Sequence, residues 1–279
     1  MDFLEAVHSR VVIGDGAMGT LLFERGVPHD VCLEDLCASE PERIQAIHRE
    51  YIAAGSQFVR THSFGANAVR LSRFGFERRV GELNWLAART AREATKGSGA
   101  WIAACVGPTG LNADERADLV SIFQDQLGAL LDGGADFVIL ETFTDLNKLK
   151  SAIEAKHSLH HCPVIASLAG VEPAEATAAF SELRAAGADV VGLNCTTDSA
   201  KTRAALAAAD LSEPVSVFPG AGLPTQSGES FRYPIDSTTF ADEAAALVEL
   251  GVRVIGGCCG TTPEYIAALA ERLKIPAHP

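Results

Sequence analysis

Short apolar runs rich in β-branched residues alternate along the whole chain with longer stretches whose apolar residues recur every three to four positions. The runs at 11–14, 57–60, 100–106, 136–140, 163–168, 189–193, 214–218 and 252–255 predict eight strands. They are apolar almost throughout (VVIG, WIAACV, FVIL, VIASL, VVGL), as parallel strands covered on both faces should be. The intervening stretches read as amphipathic helices. The one over 39–54 opens Ser39-Glu40-Pro41-Glu42, a cap residue followed by proline and acid in the first turn, and puts Ile44, Ile47, Tyr51 and Ile52 on one stripe. The same spacing recurs at Phe123, Leu127, Leu130 and Leu131, at Phe180, Leu183 and Ala186, and at Phe240, Ala244, Leu247 and Leu250.

Four of the helix-to-strand junctions carry a glycine (AAGSQFV, DGGADFV, AAGADVV, ELGVRVI), the residue that stops a helix in the left-handed conformation. Helix, glycine, strand, repeated, is the mark of βα alternation. Eight such units favour an α/β fold closed into a (β/α)8 TIM barrel over a doubly wound sheet, which more often has five or six strands. The longest irregular stretch, 219–235, follows the seventh strand and reads as a βα loop. No linker or low-complexity segment interrupts the pattern, so residues 1–279 read as a single barrel domain.

Composition narrows the function classes. The formal net charge is −13, which argues against nucleic acid and anionic membrane as partners. No run approaches the roughly 18 continuous apolar residues of a membrane helix. The opening MDFLEAVHSR lacks a signal peptide's cationic start and apolar run, so a cytoplasmic location is expected. The seven cysteines, Cys32, Cys37, Cys105, Cys162, Cys195, Cys258 and Cys259, are an odd set in such a chain and argue against a disulfide framework.

In a barrel of this kind chemistry collects at the C-terminal ends of the strands. Those ends carry Asp15 in GDGAMGT, Thr61-His62, Gly107-Pro108-Thr109, Glu141 in ETFTD, Asn194-Cys195, PGAGLP and Gly256-Gly257-Cys258-Cys259-Gly260. Three cysteines thus lie at the ends of strands six and eight, which one neighbour separates, so their thiolates can converge on a soft metal such as zinc. A lone Cys at a strand end is more often a small buried apolar residue. A Cys-Cys pair set among glycines is less easily explained as core, and metal and redox roles both remain open. The residues by themselves lead to a thiolate metal site at a barrel mouth.

At these positions the chain resembles the homocysteine methyltransferase family, along nearly its whole length. The most specific stretch is GGCCGTTPEYI from Gly256; GLNC from Gly192, ETFTD from Glu141, DGAMGT from Asp15, SFGAN from Ser63 and VGPTG from Val106 occur in the family's order. The resemblance implies a (β/α)8 barrel in which Cys195, Cys258 and Cys259 bind Zn2+ and form the catalytic centre. It implies that Asp15 and Glu141 hold homocysteine, with Gly16, Ala17, His62 and Asn194 completing the substrate-binding wall. FPGAGLPTQSGESFRYP is closest to the homocysteine-binding module of cobalamin-dependent methionine synthase, which implies a methylated corrinoid (cobalamin) carried on a separate protein as methyl donor. Two departures stand out. His62 replaces the usual Asn, and the loop after strand five, 169–173, is shorter than is usual in the family.

The expected chemistry is attack of a zinc-held thiolate on the donor methyl group. A free alkyl thiol has a pKa above about 8, and zinc with three thiolate ligands displaces its proton. Other readings are S-methylmethionine, betaine or another sulfonium as donor, a non-catalytic zinc- or partner-binding barrel, and a redox role for Cys258-Cys259. A zinc hydrolase is disfavoured, because three thiolates make bound water a poor nucleophile.

Overall fold

The computed structural model describes residues 1–111, 118–159, 161–227 and 230–275. Ten strands are present among them: β1 (Val12–Ile13), β2 (Phe58–Arg60), β3 (Trp101–Val106), β4 (Phe137–Phe143), β5 (Val164–Leu168), β6 (Val190–Thr196), β7 (Val215–Pro219), β8 (Thr225–Ser227), β9 (Ser230–Arg232) and β10 (Val254–Ile255). Eight form one parallel sheet in the order β1-β10-β7-β6-β5-β4-β3-β2, with helices between them, and correspond one for one to the eight predicted runs. The two ends of that order meet: the Gln57 N–H donates to Ile13 O at 2.7 Å, and Gln57 Oε1 accepts the Ile13 N–H at 3.2 Å. The Arg60 N–H donates to Asp15 Oδ2 at 2.9 Å. The result is a nearly closed (β/α)8 TIM barrel.

Side chains alternate across each strand. Val12, Phe58, Ala103, Phe137, Ile139, Ile165, Val190, Phe218 and Val254 fill the barrel interior, while Ile13, Val59, Ile102, Val138 and Val191 face the helices. The helix Phe3–Ser9, held by a reciprocal Asp2–Glu5 capping box, closes the bottom. Its Phe3 ring stacks on Phe137 at 3.8 Å and meets Phe58 and Trp101 edge-on, all three being the first residues of their strands. Two residues further along β2, and four further along β3 and β4, the same alternation delivers Arg60, Cys105 and Glu141 to the upper interior.

The predicted glycine stops hold, with Gly55, Gly134, Gly187 and Gly251 all at positive φ. Three local readings change. The first helix of the βα series runs Pro41–Ala53 with Glu40, not Ser39, at its cap. Ser39 ends the preceding short helix Leu36–Ser39 and its hydroxyl donates to Asp35 O. The loop read over 219–235 contains the antiparallel hairpin β8–β9. Finally, β4 and β6 continue past their predicted ends through register shifts between Leu140 and Phe143 and between Asn194 and Thr196.

Candidate metal centre and its pocket

Those two register shifts build the site. Each contains a residue in the left-handed region, Thr142 (φ 64°) in β4 and Cys195 (φ 54°) in β6, conformations that L-residues other than Asn and Asp seldom adopt. The two bulges brace each other through Asn194, whose Oδ1 accepts the Thr142 N–H at 2.8 Å and whose Nδ2 donates to Thr142 Oγ1 at 2.7 Å. The bulge in β6 turns Cys195 toward the barrel mouth.

Cys258 and Cys259 arrive from the turn after β10. Gly257 keeps that turn tight: a Cβ there would lie 2.2 Å from Thr261 Oγ1, which donates to Cys258 O at 2.7 Å. Gly260, at φ 82°, lies under the Tyr233 ring, where a Cβ would come within 2.3 Å of ring carbons. The Cys258 N–H donates to Pro219 O at 2.7 Å and the Gly257 N–H to Asp15 O at 2.9 Å, tying the turn to β7 and β1.

The three sulfurs gather as the sequence predicted. Cys195 Sγ lies 2.8 Å from Cys258 Sγ and 3.5 Å from Cys259 Sγ, and all three are within 4.8 Å of one another. A tetrahedral zinc with bonds of about 2.3 Å separates its sulfur ligands by roughly 3.8 Å; this donor set fits such an ion in chemistry, and the Cys195 and Cys258 sulfurs would move apart to hold it. Hydrogen bonds from Cys195 and Cys258 lower the Cys259 thiol to about 3, while Cys195 is pushed well up by its bonds to Cys258 and Cys259.

Next to the sulfurs opens a pocket of about 540 Å³. Of the predicted substrate-contacting residues, Asp15, Gly16, Ala17, His62 and Glu141 line it. Asn194 is fully buried, and its carboxamide is engaged by Thr142. His62 Nε2 lies 2.7 Å from Leu33 O, so that nitrogen carries the proton, and burial lowers the ring's pKa. The short connection after β5 is as predicted, with the next helix starting at Pro173.

The residue that sequence reasoning passed over is Arg60. Its Nε donates to Asp15 Oδ1 at 2.7 Å and its Nη1 to Glu141 Oε2 at 2.9 Å. Nη2 reaches the carbonyls of Asp15, Gly16 and Gly257 at 3.2, 2.7 and 2.8 Å, and the guanidinium lies over the Phe218 ring. Burial opposes this charge, but Glu141 and Asp15 outweigh it and hold the group firmly cationic. Burial raises the Asp15 carboxyl against the pull of Arg60. Cys105 Sγ lies 2.9 Å from Glu141 Oε1, its thiol pushed up by burial and then by that carboxylate. A cation ending an apolar run (QFVR) was the available signal, and it reads equally as a strand boundary.

Comparison with known proteins agrees with this geometry. A homocysteine S-methyltransferase family model matches residues 12–273. The chain belongs to the homocysteine S-methyltransferase family. Membership makes it a methyltransferase. Methionine synthases of Mycobacterium tuberculosis and Mycobacterium leprae are 32% and 33% identical over 99% and 96% of this chain, which spans 26% and 25% of their length. The metallated crystal structure of the homocysteine methyltransferase MmuM from Escherichia coli superposes with a TM-score of 0.78 at 25% identity, covering 95% of this chain and 96% of that one. Among the described residues no helix is long and apolar enough to cross a membrane.

Proposed function

We propose that this family member is a zinc-dependent thiol S-methyltransferase acting as one barrel domain over 1–279, with homocysteine, giving methionine, as its reference acceptor. The convergence of Cys195, Cys258 and Cys259 beside a pocket at the barrel mouth carries the reading. These three residues would hold the ion. Bound zinc would supply the charge that keeps an acceptor sulfur anionic at neutral pH, where a free alkyl thiol is mostly protonated.

The chain's own residues do the remainder by positioning. The Asn194–Thr142 brace fixes Cys195, and the Gly256-Gly257 turn fixes the other two sulfurs. Asp15, Gly16, Ala17, His62 and Glu141 wall the acceptor's carbon chain. As the methyl group moves, a carbon–sulfur bond forms to the acceptor and the donor–methyl bond breaks, its electron pair staying on the donor. The thiol proton leaves to solvent. No general base is needed at the moment of transfer.

The donor in this reading is a methylated corrinoid, supported by the likeness to methionine synthases, of whose length this chain spans about a quarter. S-methylmethionine, betaine or another small sulfonium is the second reading. It is favoured by the likeness to MmuM, which this chain covers almost completely. Methyl transfer to homocysteine from methylcobalamin, S-methylmethionine and betaine, assayed in parallel on zinc-loaded protein, separates them. Product from methylcobalamin alone supports the first, and product from a sulfonium or betaine alone supports the second. Zinc and thiol binding with no transfer from any donor would leave the non-catalytic barrel.

A further inference from the structure

The pocket is lined by three carboxylates, Asp15, Glu34 and Glu141, and by three arginines, Arg60, Arg70 and Arg73. They are not equally available. Asp15 accepts from the Nε and the backbone N–H of Arg60. Glu141 accepts from Arg60 Nη1 and from Cys105 Sγ. Glu34 accepts from the Gly65 N–H at 2.8 Å, with Cys32 Sγ 3.6 Å from its other oxygen. Every carboxylate oxygen of the pocket therefore already has a donor from the chain. Arg70 and Arg73, by contrast, have no carboxylate partner among the described residues, and the Arg70 guanidinium lies over the Phe64 ring. Among the described residues the uncommitted charge of the pocket is positive.

Arg60 cannot swing aside to release the acids. Three backbone carbonyls hold its Nη2, and the side chain is 8% exposed. Its guanidinium fills the space between Asp15 and Glu141, where a ligand ammonium served by both acids would have to sit. Such an ammonium would meet a fixed cation of like charge.

The geometry points to Arg60 as the specificity-determining residue of the acceptor site: the acceptor is an alkyl thiol that ends in an anionic group, carries no ammonium beside it, and is met at that end by Arg70 and Arg73. This rests on the thiol-methylation reading above and replaces homocysteine, its reference acceptor, by this class. Carboxylate, sulfonate and phosphate ends share the required chemistry, and a series of such thiols separates them.

The test is calorimetric titration of zinc-loaded protein with three thiols of equal chain length. These are homocysteine, its desamino analogue (anionic end, no ammonium) and its decarboxy analogue (ammonium, no anionic end). The desamino analogue should bind at least about tenfold more tightly than homocysteine, and the decarboxy analogue more weakly than either. Arg60→Gln, compared in folded protein carrying its full complement of zinc, should erase or reverse the preference for the desamino thiol over homocysteine. Combined Arg70→Gln and Arg73→Gln should weaken the desamino thiol about tenfold. Homocysteine binding as tightly as its desamino analogue in the wild type would overturn the proposal, and that ranking needs no variant to fold. If methyl transfer to homocysteine were then efficient, the S-methyltransferase reading would stand without it. If none of the three thiols bound the zinc-loaded protein, the thiol reading itself would fall. Loss of donor use in the double variant with thiol binding intact would assign Arg70 and Arg73 to the donor and refute their role here.

Discussion

Asn194→Ala probes how the fold aims its metal ligand. Asn194 makes two hydrogen bonds to Thr142, accepting its backbone N–H at 2.8 Å and donating to its hydroxyl at 2.7 Å. Losing the second removes about 1 kcal/mol, and leaving the Thr142 N–H without a partner adds about 1–3 kcal/mol. Both bulges also hold a non-glycine residue in the left-handed region, a conformation that costs about 1–2 kcal/mol per residue and persists only while surrounding contacts enforce it. The expected loss is therefore about 2–4 kcal/mol, or roughly 4–8 °C in Tm for a chain of this size. Because Cys195 follows Asn194 directly, relaxation of the bulge should also move its sulfur. A supporting contact of this kind is worth about 10–100-fold in metal affinity. Competition against a chromophoric zinc chelator, alongside thermal unfolding, reads both effects. Thr142→Val, which keeps the backbone N–H bond and removes only the hydroxyl, should give the smaller effect on each. Asn194→Ala with zinc affinity within twofold of wild type and an unchanged Tm would refute the idea that the brace positions Cys195.

Two further outcomes follow from groups away from the pocket. His48 is fully buried, neither ring nitrogen has a partner among the described residues, and burial lowers its pKa to about 3. Between that value and the ordinary 6.5 the unfolded chain binds a proton that the folded chain does not, so this site's contribution is intact above pH 6.5 and declines as pH falls. At pH 5 the decline amounts to about 2 kcal/mol. His48→Leu should flatten the stability profile by that amount between pH 7 and 5 in chemical denaturation, and an unaltered slope would contradict the assignment. Phe3→Ala removes a ring 3% exposed that stacks on Phe137 at the barrel bottom, and should cost about 3–5 kcal/mol by denaturation while leaving zinc stoichiometry unchanged. Loss of zinc in a folded Phe3→Ala protein would show that bottom and mouth are coupled.

The barrel was legible because parallel strands buried on both faces must be apolar throughout, and FVIL, VIASL and WIAACV have little other use. The glycine stops at Gly55, Gly134, Gly187 and Gly251 were equally plain, since a helix that turns straight into a strand needs positive φ there. The bulges were hidden for the converse reason: Thr142 and Cys195 adopt positive φ without glycine or asparagine, enforced by tertiary contacts that no local pattern records. The β8–β9 hairpin escaped because its residues are mostly polar, with Phe231 exposed, and show no alternation against a core. Arg60 escaped because a charged residue at the end of an apolar run marks a strand boundary as readily as a buried cation. Only the closed barrel, which brings β1, β2 and β4 to one mouth, shows that it links Asp15 to Glu141. Asn194 was read as part of the acceptor wall, yet its amide braces two strands; a side chain's partner across the barrel cannot be read from its neighbours in sequence.

The central claim is that Cys195, Cys258 and Cys259 form a zinc site, and zinc content answers it most directly. Protein purified under reducing conditions should contain about one zinc per chain by elemental analysis, and folded Cys258→Ser and Cys259→Ser variants should each lose most of it together with methyl transfer. Zinc-free wild-type protein that cannot be reloaded, or a Cys258→Ser or Cys259→Ser variant with full zinc content and normal turnover, would contradict the account.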